Sequence, residues 1–153
     1  MTPGRRTLRY NNLDEIMADV DRLVAGHTTV GHWSLAQICR HLATIMRLTA
    51  DLPASTPHDA SRRVGEEQKR QFFESGAVPE GIPTSPWLLP GEVLDEHEEA
   101  EVLRQAIAHY LASPGPVVPH VLFGPLTRSE WDRFHCIHAA HHLSFAVLKA
   151  SPR

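Results

Sequence analysis

Apolar residues recur with helical spacing in four stretches of the chain. In the first, Ile16, Val20, Leu23 and Val24 stand at i, i+4, i+7 and i+8, on one face of a helix. Asn12 is placed to cap its start, with Glu15 three residues on, and Gly26 to stop it. The second start is stronger. Ser34 and Gln37 form an S-x-x-Q capping box, with Trp33 positioned to staple onto Ile38. That helix is predicted to run to Ala50 along a stripe of Leu35, Ile38, Leu42, Ile45 and Met46. A third is predicted over Glu92 to Ala112, striped by Val93, Ala100, Leu103, Ile107 and Leu111. Glu92, Asp95, Glu96, Glu98, Glu99 and Glu101 crowd its first half, where they suit the positive end of the helix dipole and read as a solvated face. Thr127 and Glu130 make a second capping box, with Leu126 and Trp131 as its staple, and open a last helix predicted over Arg128 to Lys149.

The rest of the chain punctuates these stretches. Residues 1–10 read as a loose lead-in. Residues 51–91 hold a short charged helical segment, Arg62 to Ser75, ending at Gly76 and surrounded by Pro53, Pro57, Pro79, Pro83, Pro86 and Pro90. This excursion cannot bury a core alone, so it reads as a covering segment or a substrate-facing loop. Ser113 to Pro125 is rich in proline and glycine and reads as a loop. Four long amphipathic helices predict an all-α four-helix bundle, one domain over residues 1–153.

Composition narrows the function. At 42% hydrophobic and 22% charged residues, wholesale disorder is excluded. A net charge of -3 argues against a general nucleic-acid binder. The longest apolar run is far short of the ~20 residues a membrane helix needs. Met1 to Arg6 leads into polar sequence without the apolar segment of an export signal. Cys39 and Cys136 are the only cysteines, so no disulfide framework is required, and a reduced, cytoplasmic protein is expected. Cys39 falls on an apolar stripe and Cys136 away from the histidines, so both read as structural.

Histidine is the outlying residue type. The chain has 11, four of them at His135, His138, His141 and His142. On a wheel with Phe134 at zero, His138, His142 and His135 fall at about 40°, 80° and 100°, one strip beside the apolar face. His141 falls at about -20°, with Phe145 and Leu148 nearby, and is expected to pack or hydrogen-bond in the core. His138 and His142, at i and i+4, stand ~5–6 Å apart, close enough to share one cation. His41 is the best third ligand, because it sits mid-helix among Ile38, Leu42 and Ile45, where a titratable group needs a partner. In an antiparallel pair, His41 lies ~14 Å from its helix end and His138 and His142 ~16 and ~22 Å past their cap, so the levels match. Three neutral imidazoles suit Zn²⁺, Ni²⁺, Cu²⁺ or Fe²⁺ and leave a coordination position open, as in catalytic sites. His135 is a competing ligand or an orienting neighbour. His27, His32, His58, His97, His109 and His120 have no partner spacing, and no nucleotide loop or nucleophile elbow is present.

Trp33-Ser34-Leu35-Ala36-Gln37-Ile38-Cys39-Arg40-His41-Leu42 resembles the start of the second helix in the DinB-like superfamily, which includes the bacillithiol and mycothiol S-transferases. His138-Ala139-Ala140-His141-His142 resembles the H-x-x-H-H stretch on that superfamily's last helix, and the Phe123-Gly124-Pro125-Leu126-Thr127 loop is similar to that of an uncharacterised DinB-like branch. The resemblance covers residues 7–148. It implies an up-down-down-up bundle and one divalent metal, zinc or nickel, on His41, His138 and His142. It implies a metal-dependent transferase or hydrolase acting on a small molecule, with a thiol as one candidate partner and dimers common among relatives. The alternative is a non-catalytic ligand- or metal-binding stress-response module.

Overall fold

The computed structural model describes residues 2–78, 91 and 93–149. Its elements are α1 (Leu13–Ala25), β1 (His27–Thr29), α2 (Leu35–Asp51), a 3₁₀ turn (Ala60–Arg62), α3 (Glu66–Ser75), α4 (Glu96–Ala112), α5 (Arg128–Leu143) and β2 (Ala146–Leu148). The chain is therefore mostly helical, with a two-stranded antiparallel sheet that pairs Thr28 with Val147. No described helix is long and apolar enough to cross a membrane.

Local chemistry sets the helix starts. Asn12 Oδ1 accepts from the Glu15 amide at 3.0 Å, and the Glu15 carboxylate reaches back to the Asn11 amide at 2.7 Å. Both capping boxes are complete, Ser34 with Gln37 and Thr127 with Glu130. Each satisfies two backbone amides that a helix start would leave unpaired. α3 ends at Gly76, whose φ of +64° is left-handed and suits glycine.

The core lies between α1, α2, α4 and α5. α2 packs on α4 and α5, and α1 packs on the same two. Ile16, Val20 and Leu23 share one core with Leu35, Ile38, Leu42 and Met46, and Leu103, Ile107, Tyr110, Trp131 and Leu143 complete it. Each such side chain contributes roughly 1.5–3 kcal/mol when fully buried.

Five expectations change. The third long helix, α4, starts at Glu96 under an Asp95 cap, and Val93 precedes it in solvent at 94% exposure. Glu92 and the prolines 79, 83, 86 and 90 lie outside the described residues. The last helix stops at Leu143, not Lys149. Ser144 Oγ donates to the His141 carbonyl at 2.6 Å, and Ala146–Leu148 leaves the helix to pair with β1. The acidic face is not wholly solvated either: Glu99 is buried and takes Arg40 Nε and Nη2 at 2.6 and 2.7 Å, joining α2 to α4.

The lead-in is also anchored. Arg6 grips the buried Asp19 through two bonds of 3.0 and 2.8 Å, and the Tyr10 hydroxyl donates to the same carboxylate at 2.5 Å. Burial alone would raise the Asp19 pKa, but the bonds from Arg6 and Tyr10 outweigh it and the pKa is lowered. Finally, the short charged helix expected over Arg62 to Ser75 ends at Gly76 as expected but starts only at Glu66, after a separate 3₁₀ turn.

Candidate metal centre

The Ser34 box fixes the start of α2, and His41 follows two turns later, 3% exposed. The Thr127 box fixes α5, which presents His138 and His142 one turn apart. The three rings meet. His138 Nε2 lies 3.2 Å from His41 Nε2 and 3.2 Å from His142 Nε2. One nitrogen from each ring falls within 4.8 Å of the other two.

This spacing fits a metal better than a set of hydrogen bonds. Nitrogens held about 2.0–2.1 Å from one ion at tetrahedral angles stand roughly 3.4 Å apart. Two neutral imidazoles can share a proton across 3.2 Å, yet His138 Nε2 has two such neighbours and at most one proton to offer. The site also disfavours charge on the rings. Burial, then the neighbouring His41, His141 and Arg5, pushes His142 down to about 2. Burial, then His142, His41, His135 and His141, lowers His138 well below 6.5. Neutral imidazoles are the form that ligates metals.

Trp33 covers the cluster. Its ring stacks on His142 at 5.2 Å and 13° and tilts against His41 at 5.0 Å. The residue expected to staple the start of α2 is thus also part of the histidine site.

His135 and His141 do not join the three. His135 is fully buried one turn before His138, its Nε2 3.2 Å from Thr49 Oγ1 and its ring against Tyr110 and Trp131. Its Nδ1 has no hydrogen-bond partner among the described residues, and burial, then His120 and Arg128, lowers its pKa to about 3. His141 is half-buried, not in the core. Arg5 Nη2 lies 2.9 Å from its Nδ1, and its ring leans on His142 and Phe145. Cys39 and Cys136 are buried, and desolvation pushes their thiols up to about 12 and 11, so neither offers a thiolate at neutral pH.

A cavity of about 350 Å³ opens beside the cluster. His41, His138, His141 and His142 line one part; Ile45, Leu48, Leu52, Trp131 and Phe134 form apolar walls. Thr56, Pro57, His58 and Arg62 from the excursion line it too, as do Val118 to Val121. His120 was not legible from spacing, since its role rests on a turn. Its Nδ1 accepts from the Leu122 and Phe123 amides at 3.0 and 3.3 Å, and Gly124, at φ +74°, closes the turn onto the His120 backbone.

A family model described as "Protein of unknown function (DUF1569)" matches residues 3–149. No curated protein matches the chain. No solved structure matches it either.

Proposed function

We propose that this chain, which belongs to the DUF1569 family, binds one divalent metal ion through His41, His138 and His142 and uses it on a small molecule held in the adjoining cavity. The observation that carries this reading is the approach of three imidazoles from two helices, with one nitrogen of each within 4.8 Å of the other two. An all-imidazole set favours zinc or nickel over magnesium or calcium. When bound, such an ion acts as a Lewis acid that polarises a coordinated group and lowers the pKa of a coordinated water or thiol. The chain's own residues do the rest. His138 and His142 are held neutral by desolvation and by the crowding of neighbouring imidazoles, Trp33 shields one side, and apolar walls flank the other.

The DinB-like resemblance supports the same three ligands and an up-down-down-up order of helices, and it puts thiol transfer first among the reactions to test. A second reading is a binding module without turnover. It is favoured by the absence of any carboxylate among the described residues lining the cavity, which leaves only imidazoles to serve as a general base there. Zinc- and nickel-loaded protein, purified without an affinity tag, should be screened for transfer of small thiols to electrophiles and for ester and amide hydrolysis. A metal-dependent rate that disappears in His138→Ala supports the enzyme. Stoichiometric metal without any metal-dependent rate supports the module.

A further inference from the structure

The cavity has a second polar region, built from side chains that the three-histidine cluster does not use. His120 is 7% exposed and lines the cavity. Its Nδ1 accepts two backbone amides, so the neutral ring carries its proton on Nε2. Nε2–H has no protein partner among the described residues, and Phe123 stacked at 4.6 Å holds the ring in place. Burial, then Arg62 and Arg63, lowers the pKa of His120 to about 4, so at neutral pH it is a fixed neutral donor.

Arg62 ends the 3₁₀ turn on the same wall, with its side chain exposed to solvent. It makes no side-chain hydrogen bond or ion pair among the described residues. The nearby Asp59 feels its charge but spends its Oδ1 on the Ser61 amide and hydroxyl. Arg63, in contrast, is taken up by His58 Nε2 at 2.9 Å and lies against Gly124. No carboxylate lines the cavity among the described residues, although the chain carries 18 acidic against 15 basic residues. An apolar cavity with one buried donor, one uncommitted guanidinium and no negative group is complementary to an anion with an apolar body.

The scale agrees. Phe134 bridges the two polar regions, its ring 4.5 Å from His120 and 5.5 Å from His138. A carboxylate at His120 and Arg62 would therefore place the other end of a short chain or ring beside the histidine cluster.

We propose that the cavity selects a small organic acid with an apolar body, its carboxylate received by His120 Nε2–H and Arg62 and its far end directed at His41, His138 and His142. The direction toward the histidines rests on the function proposed above; the carboxylate-binding wall stands without it.

The test is binding of octanoate and of 1-octanol to the full chain, read by tryptophan fluorescence and by calorimetry. EDTA is present throughout, so that no cation at the histidines can hold the carboxylate. Octanoate should bind better than octanol. Its affinity should fall about twofold to fivefold in Arg62→Met, the loss of a solvent-exposed ion pair, while octanol binding stays unchanged. His120→Phe, which keeps the aromatic contacts, should weaken octanoate in the same direction. Equal binding of the two probes, no binding of either, or an octanoate affinity indifferent to both substitutions would overturn the proposal. Metal content of the same samples without EDTA separates the two readings. Normal metal with no preference for octanoate sinks only the acid-binding wall, and a preserved preference with no metal sinks only the metal site.

Discussion

Acid should unfold this protein through its histidines, well before its carboxylates protonate. Four rings are held neutral by desolvation, His120 and His135 buried and His138 and His142 half-buried. The pKa values of His120, His135 and His142 are lowered to about 4, 3 and 2, and that of His138 lies well below 6.5, desolvation being the largest cause in each. Near pH 6.5 the unfolded chain takes up these protons and the folded chain refuses them. The unfolded state then binds more protons, so stability falls as pH falls. Each refused proton costs about 1.4 kcal/mol per pH unit below 6.5. Four together set a ceiling of about 5 kcal/mol per unit, against a total stability of about 5–15 kcal/mol for a domain. Metal-free protein should therefore lose its fold between about pH 6 and pH 4. Urea titrations followed by far-UV circular dichroism, in half-unit steps across that range, give the slope directly. His135→Phe removes one refused proton and should flatten the slope by about a quarter. A urea midpoint that holds constant or rises down to about pH 5 would refute the claim that these rings are held neutral by burial.

Asp19 works in a lower window. Its lowered pKa contributes stability above the ordinary value of 3.8, and that contribution is lost as pH falls through the folded value. Asp19→Ala should destabilise by about 3 kcal/mol, because it leaves Arg6 and Tyr10 without their shared acceptor; a loss under about 1 kcal/mol in urea melts would show the lead-in to be dispensable. Thr127→Ala should cost about 1 kcal/mol by removing half of the box that starts α5, read as a lower melting temperature with the metal-binding stoichiometry preserved. Gly124→Ala should also destabilise, since φ is +74° and the new methyl would meet Arg63 Nη1 at 2.5 Å. It should weaken octanoate binding as well, because His120 hangs on that turn.

The starts of α1, α2 and α5 and most of their apolar stripes were legible because they are written locally. A serine or threonine with a glutamine or glutamate three residues on specifies its own cap, and a stripe at helical spacing specifies its own face. The meeting of His41 with His138 and His142 was legible for a related reason: one was isolated in an apolar stripe and two were spaced one turn apart. The rest depends on distant partners. Phe145 and Leu148 continue the helical period, so the turn to β2 is set by distant partners, the pairing with His27–Thr29 and the bonds of Arg6 and Val30 to the Ser144 and Phe145 carbonyls. Arg6 and Tyr10 are ordered by Asp19, and Arg5 by Ser144 and His141, contacts that no local pattern encodes. Glu99 looked like one more solvated acid until Arg40 claimed it. His120 became a cavity donor through a turn whose closure depends on a left-handed glycine.

The central claim is a metal ion shared by His41, His138 and His142. Its most direct measurement is elemental analysis of tag-free protein, dialysed after loading with zinc or nickel, for the parent chain and for His41→Ala, His138→Ala and His142→Ala. The expected result is one ion per parent chain and a large loss of retained metal in each variant, with His135→Phe unaffected. A parent chain that retains no metal at any loading, or three variants that retain it as well as the parent, would contradict the account.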